Sequence, residues 1–270
     1  MDLWNKTRPA TRQGFVLPAL RFAPQVRLES ISMSLLTPQR QFSADEPEWI
    51  DQPGVAPELL REELRILERL NRRLGGHQLV LQYVRKLVEA SKSTVSILDL
   101  GTGSADIPRA IVAWAREAGV PINVVAVDGN PVVLEAAREK CQRWPEIRLE
   151  QHDLRALPYA AESFDVVLCS LTLHHLSPTD SVALLRRMGE IARAGCVLND
   201  LRRNWCAIWI MELLARTIVR SPILRHDGPQ SCRAAFTVGE LRGMAQQAGF
   251  KDFEIRRHHG MFRMVLLGKK

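Results

Sequence analysis

The stretch L-D-L-G-T-G-S-A-D (98–106) decides the fold. It closes the apolar run V-S-I-L-D-L (95–100), which has the continuous hydrophobicity of a buried strand. It opens onto residues 107–118, which keep a helical period, with Pro108 in the first turn where its missing N–H costs nothing. The alternation then repeats. I-N-V-V-A-V-D (122–128) is a second strand, and Asn130-Pro131 begins a helix to about Arg143, Asn as N-cap and Pro as first helical residue. I-R-L-E-Q-H-D (147–153) and F-D-V-V-L-C-S (164–170) are the third and fourth strands, Ser177-Pro178-x-Asp180 starts another helix, and G-C-V-L-N-D (195–200) is the fifth strand. Thr237-x-x-Glu240 is a capping box for a helix ending near Gly249, and F-E-I-R-R (253–257) with F-R-M-V-L-L-G (262–268) read as an antiparallel pair. Strands alternating with helices specify an α/β, doubly wound sheet, whose ligands bind beyond the C-terminal strand ends. Asp99, Asp128, Asp153 and Ser170 are therefore predicted along one edge.

Upstream, Pro57 opens a helical stretch with Leu60, Leu64, Leu67 and Leu70 at three- and four-residue steps. Gly75-Gly76 breaks it, and a second helix carries Leu79, Tyr83 and Leu87 on one face. Residues 43–93 form an N-terminal helical cap, and 94–270 the main domain. Residues 1–42 read as a basic, disordered tail; a later initiator at Met33 and an organelle transit peptide are the alternatives.

The 270 residues are 46% hydrophobic and 25% charged, which excludes disordered, collagen-like and disulfide-stapled chains. The longest run without Lys, Arg, Asp or Glu, Val166–Thr179, is too short to span a bilayer, so no stable membrane insertion is expected. The five cysteines are scattered singly with no C-x-x-C, so no metal is expected and the compartment reads as reducing and cytoplasmic. The net charge of +7 is uneven: +4 over residues 1–40, −5 over 41–200 and +8 over 201–270.

Within the glycine turn, a dinucleotide fingerprint would need glycine where Asp106 stands, and the G-K-[ST] of a phosphate loop is missing. Asp99 would repel phosphate and suits an ammonium group. Asp128, closing the second strand, can accept from two ribose hydroxyls. Asp153 can accept from an adenine amine. Acids 29 and 54 residues beyond Asp99 thus describe ammonium, ribose and adenine contacts without phosphate, which together describe S-adenosylmethionine.

On these residues the chain resembles class I S-adenosylmethionine-dependent methyltransferases over about 94–200. That resemblance implies a seven-stranded sheet of order 3-2-1-4-5-7-6 with strand 7 antiparallel. It implies cofactor contacts from Asp99, Gly101, Gly103 and Ser104, from Asp128, Gly129 and Asn130, from Asp153 and Leu154, and from Ser170. The family's third glycine is replaced here by Ala105, a change expected to leave binding intact with a slightly shifted loop.

After strand four, S-L-T-L-H-H-L (170–176) lacks the [DN]-P-P-[YF] of amino-methylating nucleic-acid enzymes and any Pro-Cys pair. L-H-H-L resembles the ubiquinone/menaquinone-biosynthesis and small-molecule group. N-D-L-R-R (199–203), the apolar helix at about 204–219 and R-H-D-G-P (225–229) resemble bacterial methyltransferases found beside type III polyketide synthases. The implied acceptor is a small phenol, quinone or polyketide, methylated on oxygen or carbon. His174 and His175 are candidate bases, with His226, oriented by Asp227, a further candidate; a turn at Gly228-Pro229 is the structural alternative. Arg202, beside Arg203, is a candidate contact for an anionic acceptor, and Trp209, on the insert at about 204–236, a candidate pocket wall. The apolar helix can equally be core or the face of a homodimer. Nucleic acid is not expected as a partner. The competing functions are a nucleic-acid methyltransferase, motivated by the basic end, and a cofactor-binding protein without catalysis.

Overall fold

The computed structural model describes residues 37–43, 45–52, 54–88, 93–217 and 219–270; the tail expected at the N-terminus lies outside them up to residue 36. Seven strands form one sheet: β1 (Val95–Leu100), β2 (Ile122–Asp128), β3 (Ile147–Gln151), β4 (Phe164–Ser170), β5 (Ala192–Leu201), β6 (Asp252–His258) and β7 (Arg263–Lys269). Their order is β3-β2-β1-β4-β5-β7-β6, with β7 antiparallel to both β5 and β6 and the remaining pairs parallel. This is the order the resemblance implied. The central strands are mostly apolar because helices cover both faces.

Among the described residues eight α-helices accompany the sheet: α1 (Pro57–Arg73), α2 (Gly76–Val88), α3 (Asp106–Ala118), α4 (Pro131–Cys141), α5 (Pro178–Ile191), α6 (Trp205–Thr217), α7 (Pro222–Ala234) and α8 (Val238–Gln247). Local chemistry sets their starts. The Asn130 side chain accepts from Val132 N at 2.9 Å, Ser177 Oγ from Asp180 N at 3.1 Å, and Thr237 with Glu240 makes the full capping box. Residues from α2 and α3 pack on one face of the sheet, residues from α5 and α8 on the other. No helix among the described residues is long and apolar enough to cross a membrane.

Three expectations change here. Gly228-Pro229 is not a turn but lies inside α7. Proline there forfeits one helix hydrogen bond, yet α7 buries Ile223, Leu224, Asp227, Pro229 and Cys232, and packing overrides the local preference. A Cβ on Gly228 would approach Met211 Sδ to 2.9 Å, so this glycine lets α6 and α7 pack closely. Residues 37–42, assigned to the tail, are held on the domain instead. Arg40 Nε donates to Ala234 O at 2.6 Å and its Nη2 to Leu176 O at 2.9 Å, while the guanidinium stacks on Phe236. Arg203, expected near an anionic acceptor, is buried and structural: it donates to Pro38 O at 2.8 Å, to Ala235 O and to Glu240 at 2.7 Å.

Candidate active site

The glycine turn follows β1, whose second-last residue, Asp99, is only 2% exposed. Burial pushes its carboxyl up to about 7, and the carboxylates of Asp106 and Asp128 add to the rise. Among the described residues no cationic side chain pairs with it. A buried acid lacking a cation is the observation that fits the ammonium of an amino-acid ligand. Gly101 has φ +70°, and a Cβ there would meet Thr172 Oγ1 at 2.3 Å. The turn therefore lies against the loop that follows β4. Ala105 takes φ +55°, the left-handed conformation that glycine adopts freely. Alanine holds that conformation at a cost of about 1–2 kcal/mol.

Asp128 closes β2 and accepts from Gly103 N and Asn130 N, both at 3.0 Å, so both carboxylate oxygens are held by the turns on either side of it. Burial raises its pKa despite these bonds. Gly129 is exposed beside it, and Asn130 caps α4. Asp153 lies two residues past β3, exposed at the rim, and accepts from Arg155 N at 2.9 Å; Leu154 next to it is half-buried. Ser170 ends β4 and accepts from Asn199 Nδ2 at 2.8 Å. The Asn199 Oδ1 atom is buried without a partner. Ser104 turns toward the helical cap, its hydroxyl 3.5 Å from Glu68, which also holds Arg109 and Lys140.

His174 is buried in the one-turn helix after β4. Its Nδ1 lies 2.6 Å from Asp200 Oδ1 at the end of β5, and its backbone N donates to the other oxygen at 3.1 Å. Burial alone would raise the Asp200 carboxyl, but the His174 imidazole holds it below the ordinary range. His175 places Nδ1 2.7 Å from Asp51, and Glu48 lies 3.9 Å from the Nε2 of each histidine. Burial lowers the His175 pKa, but Asp51 and Glu48 outweigh it and lift it to about 9.

Glu48 and Asp51 belong to the strap before α1 and were not among the sequence candidates. The strap is fixed by Asp227, whose carboxylate accepts from Trp49 N at 2.9 Å and Ile50 N at 3.0 Å. Asp227, expected to touch the acceptor, thus spends its oxygens on backbone groups. His226 bonds the same carboxylate at 2.7 Å and stacks on Trp49 at 4.3 Å, apart from the other two histidines. Arg202 sits beside Arg257 of β6, and burial lowers its pKa. Trp209, expected as a pocket wall, is 69% exposed, and Leu213 one turn later is 62% exposed. Helix α6 instead turns Ala207 and Ile208 inward against Cys232.

A methyltransferase-domain model matches residues 97–195. The demethylmenaquinone methyltransferase of Lactobacillus johnsonii is 34% identical over 176 residues, spanning 59% of this chain and 69% of that protein. The demethylmenaquinone methyltransferase of Staphylococcus carnosus is 23% identical and spans 72% of this chain and 83% of its own length. In structure the chain is similar to the CurJ carbon methyltransferase, with a TM-score of 0.61 at 13% identity, over 82% of this chain and 62% of that one. The chain belongs to the class I S-adenosylmethionine-dependent methyltransferases, and S-adenosylmethionine is its cofactor. Within that class it is of the quinone-biosynthesis type.

Proposed function

We propose that this enzyme methylates a small aromatic, quinone or polyketide-type acceptor on oxygen or on an acidic carbon, and that His174 and His175 hold the acceptor's reacting oxygen. The observation that carries the reading is the pairing of these histidines. Each has Nδ1 on a carboxylate, Asp200 or Asp51, and both turn Nε2 to the same side, facing Glu48. A carboxylate only accepts, so each Nδ1 carries a proton; His174 Nε2 is left to accept from a ligand, whereas His175, lifted to about 9, is charged at neutral pH and donates from Nε2. The loop bearing them lies on Gly101 of the cofactor turn, and Asp51 neighbours both His175 and Asp128. The demethylmenaquinone methyltransferases among its relatives support this acceptor class.

S-adenosylmethionine supplies, when bound, a sulfonium methyl group whose bonding electron pair stays on sulfur. Asp99 binds the ammonium group, Asp128 the ribose hydroxyls and Asp153 the adenine amine. His174 Nε2 takes the acceptor's proton as its oxygen or carbon forms the new bond to methyl, and Asp200 steadies the resulting imidazolium. Closure by the strap keeps water out while positive charge disperses in the transition state.

The test is transfer from labelled S-adenosylmethionine to a panel of phenols, naphthoquinols and β-diketones. Wild-type protein should label at least one class, and His174→Ala should lose transfer while binding the cofactor as before. Cofactor binding by the wild type with no transfer to any class refutes the reading.

A further inference from the structure

We infer that Glu48, His174 and His175 form a binding site for one divalent metal ion of the zinc class. One ligand atom from each lies within 4.8 Å of the other two. Glu48 Oε1 is 3.9 Å from His174 Nε2, and Glu48 Oε2 is 3.9 Å from His175 Nε2. Those separations are too long for direct hydrogen bonds, so the three groups face a common point without bonding one another.

Around a four-coordinate zinc with bonds of about 2.0–2.2 Å, ligand atoms stand about 3.4 Å apart. The site therefore needs to contract by about 0.5–1.5 Å, within the reach of side-chain rotation. Two histidines with one glutamate is a known zinc donor set, leaving a fourth position open.

The surroundings support the assignment independently of the three ligands. A metal-bound histidine characteristically gives its other ring N–H to a carboxylate, which orients the ring and strengthens its donor nitrogen. Both histidines already do this, His174 to Asp200 at 2.6 Å and His175 to Asp51 at 2.7 Å. The Glu48 carboxylate is in turn held by Ser231 Oγ at 2.7 Å. His174 and Glu48 are closed off, with side chains 4% and 8% exposed, whereas the His175 side chain is 24% exposed, so the site opens on the His175 side.

Nothing in the sequence announces this site. The two histidines are adjacent, and the glutamate lies more than a hundred residues earlier. The strap brings it there, fastened by Asp227. The site stands on its own geometry; giving its open position to the acceptor oxygen rests on the function proposed above. In that arrangement both Nε2 atoms would bind the metal, the His175 proton leaving as it binds, and the metal rather than His174 would hold the acceptor oxygen and favour its deprotonation.

The full chain, stripped with chelator, is dialysed against zinc and assayed by elemental analysis, and titrated with cobalt while visible absorption is followed. The expected result is one ion per chain and the intense visible bands of low-coordinate cobalt. Glu48→Gln and His175→Ala should weaken zinc binding at least tenfold. Asp51→Asn, which removes only the carboxylate behind His175, should weaken it about 10- to 100-fold. Far-ultraviolet circular dichroism and a cooperative melt verify that each variant is folded. Failure of wild-type protein to retain zinc, or zinc binding unaffected by Glu48→Gln, overturns the site. Zinc bound with no methyl transfer to any acceptor refutes the proposed function and leaves the site standing; transfer by zinc-free protein at the full rate with no zinc retained does the reverse.

Discussion

Replacing Asp99 with asparagine should make the ligand-free protein more stable and the cofactor complex weaker. The carboxyl sits at about 7 in the folded chain and at about 3.9 in an unfolded one. The folded pKa is the raised one, so the folded chain holds the extra proton. Stability is therefore complete below about pH 4 and declines as pH rises through 7. About three pK units at about 1.36 kcal/mol each give a penalty of about 4 kcal/mol at pH 8, falling to about 2 at pH 5. The substituted amide has no charge to bury, and the variant should melt about 10 °C higher at pH 8, with the gap closing toward pH 4. Removing the partner of a buried ammonium should weaken S-adenosylmethionine about 100- to 1,000-fold. In the wild type, binding favours the ionised acid, so affinity should fall about tenfold or more from pH 7.5 to 5.5, and the variant should lose that dependence. Thermal melts at pH 5 and 8, with calorimetric titrations across that range, measure both effects. A variant no more stable at pH 8 refutes the uncompensated charge, and unchanged cofactor affinity refutes the ammonium contact.

Gly101→Ala should lower stability by about 2–4 kcal/mol in urea unfolding and abolish detectable cofactor binding, from a left-handed backbone plus overpacking. The added methyl would lie 2.3 Å from Thr172 Oγ1, so Thr172→Ala in the same chain should recover part of the loss. Arg203→Ala leaves the carbonyls of Pro38 and Ala235 without their donor and Glu240 unpaired. It should cost about 3–5 kcal/mol and open residues 37–42 to proteolysis, with cofactor binding at low temperature retained. Unchanged melting would refute that anchoring role.

The sheet was legible because its signals are local. Each central strand is an apolar run, and Asn130-Pro131, Ser177-Pro178 and Thr237-x-x-Glu240 mark helix starts through bonds made within three residues. The places of Asp99 and Asp128 at the C-terminal ends of β1 and β2 were legible as well, since a buried strand fixes where its end emerges. Gly228-Pro229 was misread for the opposite reason: its turn propensity is local, but the packing that keeps it helical comes from α6. Trp209 was misread because an apolar helix in sequence does not say which of its faces meets the core; here the tryptophan faces outward while Ala207 and Ile208 are buried.

The sequence by itself determined a doubly wound sheet with an acid-lined glycine turn, because the period of burial and the capping bonds are written within a few residues. Tertiary structure alone decided what the two adjacent histidines do. Asp200 reaches His174 from the neighbouring strand β5, and Asp51 and Glu48 reach the two histidines from a strap before α1, held by Asp227 from α7. Such partners are set by how distant segments cross, and charges separated so far along a chain leave no periodic trace of their meeting.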